Sequence, residues 1–202
     1  MGNHLKLLIA TSNPGKIIEI KELLRELPLD LVIPAEIGIH ATPEETGSTY
    51  IENAVLKARF YYEYGHLPTL ADDTGLEVDC LGGQPGLHSA RFPSVKNACD
   101  KDRRKLLLEK LDGKPTPWRA HFICAVALAD RNGKSITALG RCDGEIIALE
   151  RGHNGFGYDP LFLFPHLGKT MAELNLAEKN QVSHRALAIR AIIPQLSEMF
   201  SV

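Results

Sequence analysis

The sequence predicts an α/β fold built on a mixed β-sheet, and three observations predict it. Short apolar, partly β-branched runs alternate with amphipathic helical stretches through the first half, as where Leu7 to Ala10 is followed by Pro14 to Leu27. Later, Asn132-Gly133 stands between two strand-like runs and carries a hairpin signal, which adds antiparallel pairing to the sheet. Finally, the chain has 202 residues, 44% hydrophobic and 24% charged, and no repeat or low-complexity linker divides it. One domain spanning residues 1–202, with a real core, is the expectation.

Taken in order, Leu7-Leu8-Ile9-Ala10 suits a buried strand, and Ser12-Asn13-Pro14-Gly15 is loop and helix-start chemistry. Asn13 is placed to cap the helix, with Pro14 at its first position. Ile17, Ile20, Leu24 and Leu27, with Leu23, form the apolar stripe, which leaves Glu19, Lys21, Glu22, Arg25 and Glu26 for the wet face. A second strand is expected near Leu29 to Ile33, then an acidic loop from Thr42 to Gly47. A second helix starts at about Thr49 with Ile51, Ala54, Val55, Ala58 and Tyr62 on one face. Leu67 to Ala71 reads as a buried strand ending in an Asp72-Asp73-Thr74-Gly75 turn, and Gly82 to Gly86 as a shaped loop.

The alternating charges of Asp100 to Lys105 suit the solvated start of a helix around Arg103 to Leu111. Trp118 to Ala129 is long enough to cross a sheet, and Ser135 to Leu139 is its partner across a hairpin at Arg131 to Lys134. A third strand near Glu145 to Ala148 leads into the glycine-rich stretch Gly152 to Gly157, then the apolar run Leu161 to Phe164. The last helix is expected from about Ser183 to Met199.

Composition removes several function classes. With 23 basic and 25 acidic side chains, the net charge of -2 gives no bulk attraction to nucleic acid or an anionic membrane, so neither is expected as a partner. Cys80, Cys99, Cys124 and Cys142 form no C-x-x-C pair, which fits reduced thiols rather than a zinc or redox site. No stretch has the length of a membrane span and no signal-peptide pattern opens the chain, so a cytoplasmic protein is expected.

Five features carry chemistry. Lys16 falls in the first turn of a helix, where the dipole disfavours a cation by about 0.3–1 kcal/mol unless an anion is bound. Together with the unpaired N–H groups there it can hold a phosphate, although Lys16-Ile17 is not the P-loop pattern and a solvated lysine is the plain alternative. Asp72 and Asp73 repel each other, so a divalent cation or an ammonium such as Lys16 or Lys57 is required to keep both ionised. Oxygen ligands beside phosphates favour Mg²⁺, whereas turn capping is the structural alternative. Glu44-Glu45 is a second acidic pair before a helix; simple dipole complementarity also explains it. Phe156 can stack on a planar ring or fill a core, and His184-Arg185 can donate to a base or phosphate oxygen or merely start a helix. Together these features suit a nucleoside triphosphate with Mg²⁺.

The stretches TSNPGK (Thr11 to Lys16), EETG (Glu44 to Gly47), ENAVLKAR (Glu52 to Arg59), ADDTGLEVDCLGGQPGLHSARF (Ala71 to Phe92), GFGYDPLF (Gly155 to Phe162) and EKNQVSHR (Glu178 to Arg185) closely resemble the inosine triphosphate pyrophosphatase family in its bacterial form. The resemblance implies an elongated mixed sheet flanked by helices, two lobes with a substrate cleft between them, and a homodimer. It implies Mg²⁺-dependent hydrolysis of ITP, dITP and XTP to the monophosphate and pyrophosphate. By motif, Thr11, Ser12, Asn13, Pro14, Gly15 and Lys16 are expected to hold the triphosphate. Glu44 and Asp73 are expected to bind metal, with Asp73 as catalytic proton acceptor. Thr74, Phe156, Gly157, Tyr158, Asp159, Lys179, His184 and Arg185 match substrate contacts. Departures from the family pattern are Thr74 for serine, His88 for tyrosine, Gln84 for a small residue and Ala186 for glycine. A septum-inhibitor type of nucleotide pyrophosphatase and a non-catalytic nucleotide sensor are the other readings; GFGYDP and SHR argue against the first, and the retained acidic pair against the second.

Overall fold

The computed structural model describes residues 5–93, 98–130 and 134–200. Its elements run β1 (Leu5–Ile9), α1 (Pro14–Leu23), β2 (Leu29–Val32), α2 (Tyr50–Gly65), β3 (Thr69–Val78), β4 (Pro85–Gly86), α3 (Asp100–Leu111), β5 (Trp118–Ala129), β6 (Ser135–Ile146), β7 (Phe162–Phe164), β8 (Lys169–Thr170), α4 (Leu176–Val182) and α5 (His184–Phe200). The strand order is β2-β1-β3-β5-β6-β7-β8, with β4 beside β3. β1 pairs in parallel with β2 and β3, while β3–β4, β6–β7 and β7–β8 are antiparallel, so the sheet is mixed as expected.

The chain divides into two compact units. The first comprises Met1–Asp73, Cys124–Gly140 and Arg185–Val202; the second comprises Thr74–Ile123 and Arg141–His184. In the first unit, Leu7 and Ile9 of β1 pack with Ile20 of α1, Leu24 at its C-cap, Leu70, Val126, and Ile189 and Ile192 of α5. In the second, Leu76, Leu107, Leu111, Phe122, Ile146, Phe162 and Met171 form a separate cluster. Burying each such side chain contributes about 1.5–3 kcal/mol, so each unit has its own apolar anchor.

Local chemistry explains most boundaries. Asn13 Oδ1 accepts from the Lys16 N–H at 3.1 Å, and Pro14 opens α1, as its sequence predicts. Thr49 caps α2 by accepting from the Glu52 N–H at 3.1 Å. β5 spans the strand expected from sequence.

Several elements differ from expectation. Glu19 is buried at 3% exposure rather than solvated, because Arg185 binds its carboxylate. The inner face of α2 carries Tyr50, Asn53, Ala54, Ala58 and Tyr61, while Ile51 is exposed. Asn53 is drawn inward by polar partners, which rotates the face away from the expected apolar stripe. No turn interrupts 72–75: β3 continues through them to Val78, and Gly75 has no positive φ. The two expected strands at 135–139 and 145–148 are one strand, β6, ending at Ile146. Gly144 sits within it because a Cβ there would strike the Leu163 carbonyl and the Phe162 ring of β7. α3 starts at Asp100, on the charge run read as its solvated start, and α4 precedes the last helix through a reciprocal cap between Asn175 and Glu178. The expected hairpin turn falls on Arg131, Asn132 and Gly133, which lie outside the described residues.

Candidate active site

Adjacent residues of a strand face opposite ways, so β3 presents Asp72 and Asp73 to different surroundings within the first unit. Lys16 Nζ lies 2.9 Å from Asp72 Oδ2, and the Arg185 Nε and NH2 groups each donate to the same oxygen at 3.2 Å. The remaining Arg185 nitrogen binds Glu19, so one buried guanidinium ties α5 to both β3 and α1. Burial works to raise the Asp72 carboxyl, but the Lys16, Arg185 and Lys57 charges more than offset it and hold it well below the usual carboxylate range. Burial likewise opposes the Arg185 charge, and Asp72 and Glu19 reverse that effect.

On the other side, Lys57 Nζ bridges Asp73 Oδ1 at 2.9 Å and Glu45 Oε1 at 3.0 Å. Asn53 Nδ2 donates to Asp73 Oδ2 at 3.3 Å, while its Oδ1 accepts from the Gly47 N–H at 2.8 Å and fixes the acidic loop. Burial raises the Asp73 carboxyl, and Lys57 only partly offsets it. One carboxylate of the pair is therefore locked in its charged form, and its neighbour is a better proton acceptor than an ordinary aspartate. Of the divalent cation or ammonium that the sequence requires beside this pair, the structure supplies ammonium groups, Lys16 at Asp72 and Lys57 at Asp73.

Thr11 to Lys16 cross from β1 into α1, where Thr11 Oγ1 accepts from the Asn13 N–H at 3.2 Å. The first turn of α1 carries no acidic residue; Pro14 has no N–H and that of Lys16 goes to Asn13, which leaves the Gly15 N–H and the Lys16 ammonium suited to an anion. Glu44 is exposed, and among the described residues no three His, Cys, Asp or Glu side chains are grouped to hold a metal ion. The acidic groups beside Lys57 are nonetheless all carboxylates, and Mg²⁺ takes one or two protein carboxylates with the rest from water and substrate phosphate. The donor chemistry fits that ion.

The second unit supplies a different cluster. Asp159 Oδ2 accepts from the Phe156 N–H at 2.9 Å and from Lys179 Nζ at 2.5 Å. Lys179 Nζ in turn lies 5.0 Å from the centre of the Phe156 ring, a cation–π contact. Gly155 has φ +73°, and a Cβ there would collide with the Asp159 carboxylate, so this loop closes only on glycine. Tyr158 is buried, its hydroxyl donating to the Ser89 carbonyl at 2.9 Å, and burial raises its pKa. Thr74 is half-buried at the point where β3 enters this unit. His184 is buried and stacked on Phe122, with ring centres 4.6 Å apart and 12° between planes. Its Nδ1 lies 3.8 Å from Cys142 Sγ, and burial pushes that thiol up to about 12.

The structure thus brings Lys16 to Asp72 and gathers Phe156, Asp159 and Lys179, but it shows no partner for Glu44 among the contacts described. Sequence reasoning missed Glu19, Asn53, Cys142 and Phe122. Only Asn53 gave a signal, a polar residue beside the apolar positions of α2.

Fold and site together define a mixed α/β protein that sets a lysine at a helix start against paired buried carboxylates, the apparatus of a polyanion-handling protein. The chain belongs to the Ham1 family, whose model matches residues 7–195. It is 44% identical over 196 residues to a dITP/XTP pyrophosphatase of Haemophilus ducreyi, covering 96% of this chain and 100% of that one. A protein of the same name from Thermus thermophilus is 43% identical, covering 94% and 90%. Among solved structures, a HAM1 protein from Coxiella burnetii superposes with a TM-score of 0.86 at 40% identity, covering 96% of this chain and 99% of that one. The Staphylococcus aureus Ham1 protein gives 0.84 at 36% identity, again covering 96% and 99%.

Proposed function

We propose that this chain hydrolyses noncanonical purine nucleoside triphosphates, ITP, dITP and XTP, to the monophosphate and pyrophosphate. Beside the names of its relatives, the observation that carries this reading is the β3 carboxylate pair, with Asp72 locked as an anion beside Lys16 and Asp73 raised beside Lys57. Such a pair is costly to bury and serves little purpose in merely holding polyphosphate.

Thr11 to Lys16 bind the triphosphate through the Gly15 N–H at the α1 start and the Lys16 ammonium. Asp73 accepts a proton from the attacking water, and Lys57 and Asn53 orient its carboxylate. Arg185, whose guanidinium is given to Asp72 and Glu19, serves by holding Asp72 beside Lys16. Asp73 and Glu44 are the groups to hold Mg²⁺, which when bound supplies charge neutralisation to the phosphates. Thr74 and the loop of Phe156, Gly157, Tyr158 and Asp159 receive the nucleoside, with Phe156 stacking on the base beside Lys179. His184 donates toward the 6-oxo oxygen, where adenine presents an amino group instead; a mismatch of that kind costs several orders of magnitude in kcat/KM. The family resemblance also supports a homodimer, and the four free cysteines a cytoplasmic one.

The test is to incubate the purified protein and Mg²⁺ with ITP, XTP, ATP and GTP and resolve pyrophosphate from orthophosphate. Fast pyrophosphate release from ITP and XTP, and slow release from ATP and GTP, is the expected result. Orthophosphate as the first product overturns the reaction, and ITP binding without turnover turns the chain into a sensor.

A further inference from the structure

Gly157 has both of its backbone polar groups held by side chains of one helix. Its N–H donates to Asp100 Oδ2 at 2.7 Å, and its carbonyl accepts from Arg104 NH1 at 2.8 Å. Asp100 and Arg104 stand one turn apart on α3 and so share a face. Each is braced in turn: Arg104 Nε donates to Glu150 at 2.8 Å, and Asp100 binds Arg103, which donates to the Ala90 carbonyl at 2.9 Å. Gly157 has φ +62°, a conformation that other residues rarely adopt, so the two bonds grip a residue whose backbone is otherwise permissive. The neighbouring Phe156 N–H is held by Asp159 from the other end. Three charged side chains therefore fix the backbone that carries the Phe156 ring, and charge-assisted bonds are the strong kind.

We propose that Asp100 and Arg104 are positioning residues that hold Phe156 in the orientation that stacks on the purine, so that α3 sets affinity for the base end of the substrate. This rests on the reading that Phe156 receives the base. Neither residue touches the substrate; both act through Gly157. The charge run of α3 is thereby a latch on the glycine-rich loop and more than a solvated helix start.

The test uses the intact protein with Asp100→Ala and Arg104→Ala, and with the conservative Asp100→Asn and Arg104→Lys, which keep an acceptor or a donor in place. Amide exchange at Gly157 is expected to quicken about tenfold in Asp100→Ala, the size of one lost charge-assisted hydrogen bond, and to recover in Asp100→Asn. KM for ITP is expected to rise about tenfold in either alanine variant with kcat within about twofold. Inhibition by inorganic tripolyphosphate, which has a phosphate tail and no base, is expected to stay at the wild-type level. Unchanged Gly157 exchange, or an ITP KM and tripolyphosphate inhibition constant that weaken together, overturns the proposal. Absence of ITP turnover in the unsubstituted protein would refute the functional reading instead, while the exchange comparison, which needs no substrate, still decides whether α3 holds the loop.

Discussion

Lys16 and Asp72 form an ion pair at 2.9 Å, with the aspartate side chain 1% exposed and the lysine 17%. A lysine in the first turn of a helix opposes the dipole, and Asp72 offsets that cost from an adjacent strand. The Lys16 side chain keeps some exposure, whereas Asp72 has almost none. The pair is thus a buried carboxylate that fixes an ammonium, the group we propose for the phosphate.

Replacing Lys16 by alanine removes a charge-assisted contact to the phosphates, worth about 1.5–3 kcal/mol. A fall in kcat/KM for ITP of at least about tenfold is expected, measured by pyrophosphate release. Unchanged kcat/KM would remove Lys16 from phosphate binding.

Arg185 is the opposite case, a cation with 1% side-chain exposure whose partners are themselves buried. Arg185→Met leaves Asp72 and Glu19 charged and unpaired by the guanidinium, and removing one member of such a buried group costs about 3–5 kcal/mol. Urea denaturation should show a loss of that size, with a smaller loss for Glu19→Gln because Asp72 keeps its partner. A loss below about 1 kcal/mol in Arg185→Met would mean that the network contributes little to folding.

Cys142 links stability to alkaline pH. Burial raises its thiol from the ordinary 9.0 to about 12, and the His184 and Phe122 backbone N–H groups only partly offset that. A group raised in the folded state contributes stability that is fully present below the unfolded value and is lost as pH rises towards about 12. The wild-type urea midpoint should therefore fall between pH 8 and 10.5, and Cys142→Ala should fall less steeply. Equal slopes would show that the thiol titrates alike in both states. Tyr158, also raised by burial, leaves a residual slope in the same direction.

Asp73→Asn keeps the shape of the side chain and removes its basicity. Turnover of ITP is expected to drop by about 10²–10⁴-fold, the usual share of general acid–base catalysis, with circular dichroism and thermal unfolding still those of a folded protein. A folded variant of full activity would leave Asp73 without a catalytic role.

Periodicity and caps made much of the fold legible: the Asn13 cap, the start of α2 near Thr49, the β5 limits and the mixed sheet follow from neighbours in sequence. What was hidden depends on long-range pairing. Glu19 has the spacing of a solvent-facing residue, and Arg185, far along the chain, binds it inside. The Asp72-Asp73-Thr74-Gly75 stretch reads as a turn because aspartate and glycine are turn residues, yet cations on both faces let the strand run on through it. In the candidate site, the need for a divalent cation or an ammonium such as Lys16 or Lys57 beside the carboxylate pair followed from charge repulsion alone. The Cys142–His184 contact did not, because neither residue marks the other in sequence.

The central claim is cleavage to the monophosphate and pyrophosphate, and we place the water's attack on the α-phosphorus; its most direct test is ITP hydrolysis in ¹⁸O-labelled water followed by mass spectrometry of both products. The label is expected in the monophosphate, with pyrophosphate unlabelled. Label in pyrophosphate would place the attack on the β-phosphorus and contradict the account.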